Sequence, residues 1–137
     1  MAAIDNLYAG RIGQIRALGY DAVIISGTDP HSSEYPAPRW KQGDWASGCT
    51  GEACDIVVTQ DHAGLWTDTR YFIQANQQLA GTGVELHKTR VPDEVLIPQW
   101  LAGHVRTKPV RVAFDGLCQS IGAVAGVTES RLQKLVL

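Results

Sequence analysis

"CDIVVTQDHAGLWTDTRYFIQANQQLAG", residues 54–81, decides how this chain folds. Its opening run, Cys54 to Thr59, is apolar and rich in β-branched side chains, and "GLWTD" at 64–68 repeats that chemistry. The polar "QDHAG" between them, containing Gly64, is tight-turn sequence, so the two runs predict an antiparallel β-hairpin. Past Asp68 a helix should follow directly. Thr69 stands where an N-cap belongs, Tyr71, Phe72, Ala75 and Leu79 form an apolar stripe, and Gly81 follows as a stop. A hairpin running directly into a helix is therefore expected.

Upstream, Ile4, Leu7, Tyr8, Ile12, Ile15 and Leu18 recur at near-helical spacing and end at Gly19, and "DAVIIS" (21–26) reads as a strand stopped by Gly27. From Gly27 to Gly51 no period is sustained. Pro30, Pro36 and Pro38 punctuate this stretch, and Trp40 and Trp45 stand five apart, which predicts a long loop with one short helix, of the kind that usually serves binding. Alternatively the two tryptophans clamp the loop to the core. Downstream, "VELHK" (84–88) reads as a strand, "PDEVLIPQWLAGHV" as a helix kinked or restarted at Pro98, and "VRVAFDG" (110–116) as another strand. The tail from Ser120 to Leu137 is helix-like, weakened by Gly122 and Gly126, and carries no stop signal, so the chain is expected to belong to something longer. This order predicts a single α/β domain: a mixed sheet with an antiparallel hairpin inside it, flanked by helices.

With 137 residues and 45% hydrophobic content, one domain can bury a core without metal or disulfides. The 12 Lys and Arg are outnumbered by 14 Asp and Glu, which argues against nucleic acid as a partner. No window approaches the ~18 consecutive apolar residues that would span a bilayer. Asp5 and Arg11 interrupt what would be the apolar centre of a signal sequence, so a mature soluble protein is expected, and the cytoplasm is its expected compartment. Cys49, Cys54 and Cys118 are odd in number and sparse, as free thiols in a reducing compartment would be, and the Cys49–Cys54 spacing lacks the second pair of a zinc ribbon.

Catalytic chemistry is hard to assemble from these residues. A nucleophile with its base and orienter is not evident, nor is a convergent set of Asp, Glu and His. His31, His62, His87 and His104 read as isolated from one another, each a surface or packing residue. "GTGVE" lacks the ending of a phosphate loop and follows a helix, and "SGCTGE" reads as a glycine turn. The expectation is that the chain holds no catalytic residue, metal ligand or cofactor of its own. What remains is Asp68, Arg70 and Tyr71. A cation in a helix's first turn opposes the helix dipole by up to ~1 kcal/mol, and a local rule broken in this way often marks a function or a specific partner. Two readings stay open: Arg70 is aimed at something anionic, or it pairs with Asp68 to fix the corner.

Three stretches, "SGTDPHSSEYPAPRWKQGDWASGCTG", "IVVTQDHAGLWTDTRYFIQA" and "GTGVELHK", with a looser fit of "VRVAFDG", resemble the first domain of the larger, cytosolic type of Xaa-Pro aminopeptidase (aminopeptidase P), in the creatinase and prolidase superfamily. The resemblance implies a ribonuclease H-like fold over residues 1–137 and a parent enzyme that removes the N-terminal residue preceding proline. It places two divalent metal ions, commonly manganese, in a C-terminal catalytic domain of pita-bread fold, held by two Asp, one His and two Glu outside this chain. Accordingly this domain is expected to be inactive alone, to shape the substrate cleft and subunit contacts, and to partner its own catalytic domain, a peptide with proline second and, in a homodimer, a second copy. It also implies that Arg70 binds substrate, with Asp68 and Tyr71 holding the corner. The alternative within the superfamily is a non-catalytic binding or assembly module. The chain departs from the family pattern in having "CTGEAC" (49–54) where Phe-Thr-Gly-Ser-Ala-Gly is usual, and Gly43 where arginine is usual.

Overall fold

A computed structural model describes residues 2–31, 37–51, 54–105, 111–115, 118, 125 and 134–136. Helix α1 (Ala2–Arg16) leads into strand β1 (Ala22–Ile25); a short 3-10 turn (Pro38–Trp40) and helix α2 (Gln42–Ser47) follow in the long loop. The predicted hairpin is β2 (Asp55–Thr59) and β3 (Ala63–Thr67), antiparallel, with Val57 opposite Gly64 and Val58 opposite Ala63. Then come helix α3 (Phe72–Leu79), β4 (Glu85–Lys88), α4 (Ile97–His104), β5 (Arg111–Phe114) and β6 (Lys134–Val136).

Among the described residues six strands form one mixed sheet in the order β4-β3-β2-β1-β5-β6. The hairpin and the β1–β2 pair are antiparallel, whereas β3–β4, β1–β5 and β5–β6 are parallel. The fold class expected from the sequence is the one observed. Alternation within the strands divides the core in two. Ile25, Ile56, Val58, Ala63 and Leu65 pack on one face with Ile12 and Ile15 of α1, Ala46 of α2, and Ala75 and Leu79 of α3. Ala22, Ile24, Val57, Trp66 and Val112 pack on the other with Leu101 of α4. Because the central strands are covered on both sides, their sequences read as unbroken apolar runs, and each residue's face follows from its parity.

Several expectations are corrected in detail. The N-cap at the hairpin's exit is Asp68, not Thr69: its Oδ1 accepts the Arg70 backbone N–H at 3.1 Å, and a 3-10 turn (Thr69–Tyr71) precedes α3. Pro98 does not kink a longer helix but sits in the first turn of α4, where its missing N–H removes no intrahelical bond. Leu7 and Leu18, placed in the apolar stripe of α1 by their spacing, are exposed. Residues 134–136 of the tail expected to be helical form a strand, while Ala125 is helical and the remainder of 120–137 lies outside the described residues. In the long loop, Trp45 is 44% exposed, and the guanidinium of Arg11 lies over its ring while donating to its carbonyl oxygen at 2.7 Å. Trp45 therefore ties the loop to α1 and is not a core clamp.

Candidate functional site

The corner where β3 leaves the sheet is built around one carboxylate. Asp68 is 6% exposed, and its two oxygens accept a fork of bonds from Arg70, Nε at 3.0 Å and Nη2 at 2.9 Å, in addition to the capping bond from the Arg70 backbone N–H. The Arg70 guanidinium holds the Asp68 carboxyl below the usual carboxylate range, so the pair stays ionised at working pH. The pairing with Asp68 left open by the sequence is present in the structure. The Arg70 side chain is still 58% exposed, with its guanidinium over the ring of Tyr71. A bidentate fork fixes the plane of the guanidinium as well as its position. Beside the corner lies a cleft of about 330 Å³ lined by Trp66, Thr67, Asp68, Thr89, Arg90 and Leu96, among others.

At the far end of the hairpin the structure brings together residues that the sequence reading kept apart. His62, Gly64 and Trp66 share parity along the hairpin, Glu85 and His87 share parity along β4, and the parallel register sets Gly64 against Glu85 and Trp66 against His87. Helix α4 lays Trp100 and His104, four residues apart, over the same face. His62 and His87 approach to 3.1 Å between their Nε2 atoms. The His87 ring is stacked on Trp66 at 3.9 Å, and His104 on Trp100 at 4.3 Å. Glu85 lies 3.4 Å from His62 Nδ1, and Asp61 lies 2.9 Å from His104 Nε2. Three of the four histidines thus form one cluster, not the isolated residues expected. The missing information was the register of β3 on β4; parity within each strand was already visible in the sequence.

Cys49 and Cys54 are buried free thiols with their sulfurs 3.9 Å apart. The hydrogen bond with Cys54 draws the Cys49 thiol down to about 7, while the same bond and burial push Cys54 up.

Comparison with known proteins places this architecture. Residues 12–132 match the family described as Creatinase/Prolidase N-terminal domain. The chain belongs to that family. The creatinase/prolidase domain is 41% identical over 112 residues to aminopeptidase P2 of Arabidopsis thaliana, covering 82% of this chain and 16% of that protein. It is 37% identical over 101 residues to aminopeptidase P1 of Lotus japonicus, covering 74% of this chain and 15% of the relative. The chain therefore spans about a sixth of the length of these curated relatives. Among solved structures it superposes on X-prolyl aminopeptidase from Caenorhabditis elegans, a cytosolic enzyme with a di-nuclear active site, with a TM-score of 0.85 and 27% identity, covering 93% of this chain and 23% of that one. The isolated creatinase/prolidase-like N-terminal domain of a protein from Corynebacterium diphtheriae matches with a TM-score of 0.62 at 20% identity, covering 96% of this chain and 94% of that one, and so supports the fold. Among the described residues no helix is long and apolar enough to cross a membrane.

The two-metal centre implied by the resemblance calls for two Asp, one His and two Glu. Among the described residues, the metal-capable grouping is His62, Glu85 and His87, whose ligand atoms lie within 4.8 Å of one another. Two histidines and one glutamate are not that set, so the described part of the domain does not supply the di-nuclear centre.

The histidine cluster should make the domain sensitive to acid. Burial holds the His62 and His87 imidazoles below their ordinary value of 6.5; Glu85 and Asp61 pull His62 upward, while His104 and Arg16 push it further down, and His62, Glu85 and His104 face His87. A histidine whose folded pKa is depressed contributes stability that is present above the unfolded value and is lost as pH falls through the folded one. The contribution of these two histidines to stability should accordingly be constant above pH ~6.5 and decline as pH falls below it. Thermal scans on both sides of that pH test this. A Tm that holds or rises on acidification would show that the rings are not buried as neutral bases.

Proposed function

We propose that the creatinase/prolidase domain is the accessory N-terminal domain of a metal-dependent Xaa-Pro aminopeptidase, shaping the substrate cleft and the subunit contacts of the enzyme. The observation that carries this reading is the superposition on an X-prolyl aminopeptidase over 93% of the chain. In this proposal the two divalent ions, manganese by family expectation, belong to a catalytic domain outside residues 1–137. The parent works in the cytosol as a homodimer, and its substrate is a peptide with proline in second position.

The domain's own contribution is positional. Selection around a rigid imino bond needs shaped walls as well as metal, and a domain placed against a cleft supplies them. Arg70 is proposed as the substrate contact: a guanidinium whose plane is set by Asp68 is prepared to donate to a peptide carbonyl or a terminal carboxylate without a further ordering cost.

Purified alone and supplied with manganese, the chain should show no turnover of an Xaa-Pro peptide, while the longer protein should hydrolyse it. Turnover by the 137-residue chain itself would overturn the accessory role. A longer protein that folds and assembles yet hydrolyses nothing would leave the domain as an assembly module.

A further inference from the structure

We propose that His62 and His87, supported by Glu85, form a binding site for one divalent transition-metal ion of the zinc, nickel and copper class, at the edge of the sheet where the hairpin meets β4. The two Nε2 atoms stand 3.1 Å apart. Two imidazole nitrogens bound to one ion at ~2.0–2.1 Å stand about 3.3 Å apart in a tetrahedral site and about 2.9 Å apart at the corner of a square plane. The observed separation lies between these, so a metal needs only a small ring adjustment to replace the single proton that the pair shares without it.

Both rings are held in place before any ion arrives. His87 lies flat against Trp66, 5° from parallel, and His62 packs against Trp100. The backbone clears the space: a Cβ on Gly64 would come within 2.7 Å of His87 Cδ2 and 2.8 Å of its Nε2, so the ring occupies the volume that a side chain at 64 would fill. Glu85, two residues from His87 on the same side of β4, lies 3.4 Å from Nδ1 of His62. That is the position from which a carboxylate orients a metal-binding imidazole and raises its basicity, and Glu85 is exposed enough to rotate and serve as a third ligand. His104 is engaged with Asp61 and packs beside the pair without belonging to it.

The donor set selects the ion. Two imidazoles and one carboxylate suit zinc, nickel and copper, whereas magnesium and calcium demand oxygen ligands and manganese binds such nitrogen sites weakly. The consequence in the fold is a cross-link from the β2–β3 turn to the edge strand β4, and an ion bound only in the folded state raises the melting temperature.

The test is titration of the tag-free, metal-stripped 137-residue chain with Zn²⁺ by calorimetry and with Cu²⁺ by tryptophan fluorescence, since Trp66 and Trp100 lie against the ligand rings. One equivalent should bind, with quenching by Cu²⁺ and a rise in Tm with Zn²⁺. His62→Gln or His87→Gln should abolish stoichiometric binding. Glu85→Gln alters an exposed side chain and so keeps the test valid if a histidine variant misfolds; it should weaken binding by about 10–100-fold. His31→Gln, in the long loop, should leave binding unchanged. Absence of a stoichiometric site in the parent chain, binding that survives all three site substitutions, or Mn²⁺ binding as tight as Zn²⁺ would each overturn the assignment.

Discussion

Replacing Trp66 with alanine should cost the domain about 3–5 kcal/mol, the range for deleting a large buried aromatic side chain. The ring is 3% exposed and joins four parts of the structure. It belongs to β3, stacks on His87 of β4, meets Trp100 of α4 edge-on at 5.2 Å, and donates its Nε1–H to the carbonyl of Val95 at 2.9 Å. A domain of this size has roughly 5–15 kcal/mol of stability in all, so the alanine variant should be partly unfolded under mild denaturant. Trp66→Phe separates the contributions. It keeps most of the apolar area but leaves the Val95 carbonyl without its donor, for a cost of about 0.5–1.5 kcal/mol from the bond plus a smaller term for lost volume. Denaturant midpoints of the two variants give both numbers. A loss below about 1 kcal/mol for the alanine variant would mean that this aromatic stack does not hold α4 and β4 to the sheet.

How much could be read in advance depended on the range of the interaction. The hairpin, the strand at 22–25 and the helix at 72–79 were legible because their signals are local: apolar runs bounded by Gly27 and Gly64, and the stripe of Tyr71, Phe72, Ala75 and Leu79 stopped at Gly81. The identity of the cap was missed although Asp68 and Thr69 are both good caps, because the choice turns on which residue leaves the strand with extended geometry, φ −96° and ψ −179° at Asp68. The histidine cluster was missed for a different reason. His62 and His87 are 25 residues apart in sequence, and a parallel β3–β4 pairing is fixed by the crossover through α3, which no hairpin-type turn signal reports. A shift of one residue in that register would send His87 to the opposite face, against Leu65, and leave no cluster at all. Spacing rules for metal ligands are rules about neighbours in sequence, and this grouping exists only across strands.

Arg70→Ala in the longer enzyme should lower kcat/KM for an Xaa-Pro peptide by about tenfold to a hundredfold, the scale of one charge-assisted hydrogen bond of ~1.5–3 kcal/mol. The effect should be nearly constant from pH ~6 to 9, because Arg70 keeps its charge and Asp68, held low by the guanidinium, loses its own only as pH falls through that lowered value, below 3.8. The domain should remain folded, since the carboxylate of Asp68 still caps the turn through the backbone N–H of residue 70. Arg70→Lys tests the geometry: it keeps the charge but cannot form the fork with both Asp68 oxygens, so activity should recover only in part. The competing account is that the Asp68–Arg70 pair only fixes the corner between β3 and α3. That account predicts a lower melting temperature for the 137-residue chain carrying Arg70→Ala, similar in size to the ~0.5–2 kcal/mol expected for loss of a cap in Asp68→Ala. It also predicts unchanged kcat/KM in the longer enzyme at temperatures where the variant is folded. Measured on the same substitution, the two quantities move in opposite combinations, and a destabilised domain with intact kcat/KM would remove Arg70 from the substrate side of the cleft.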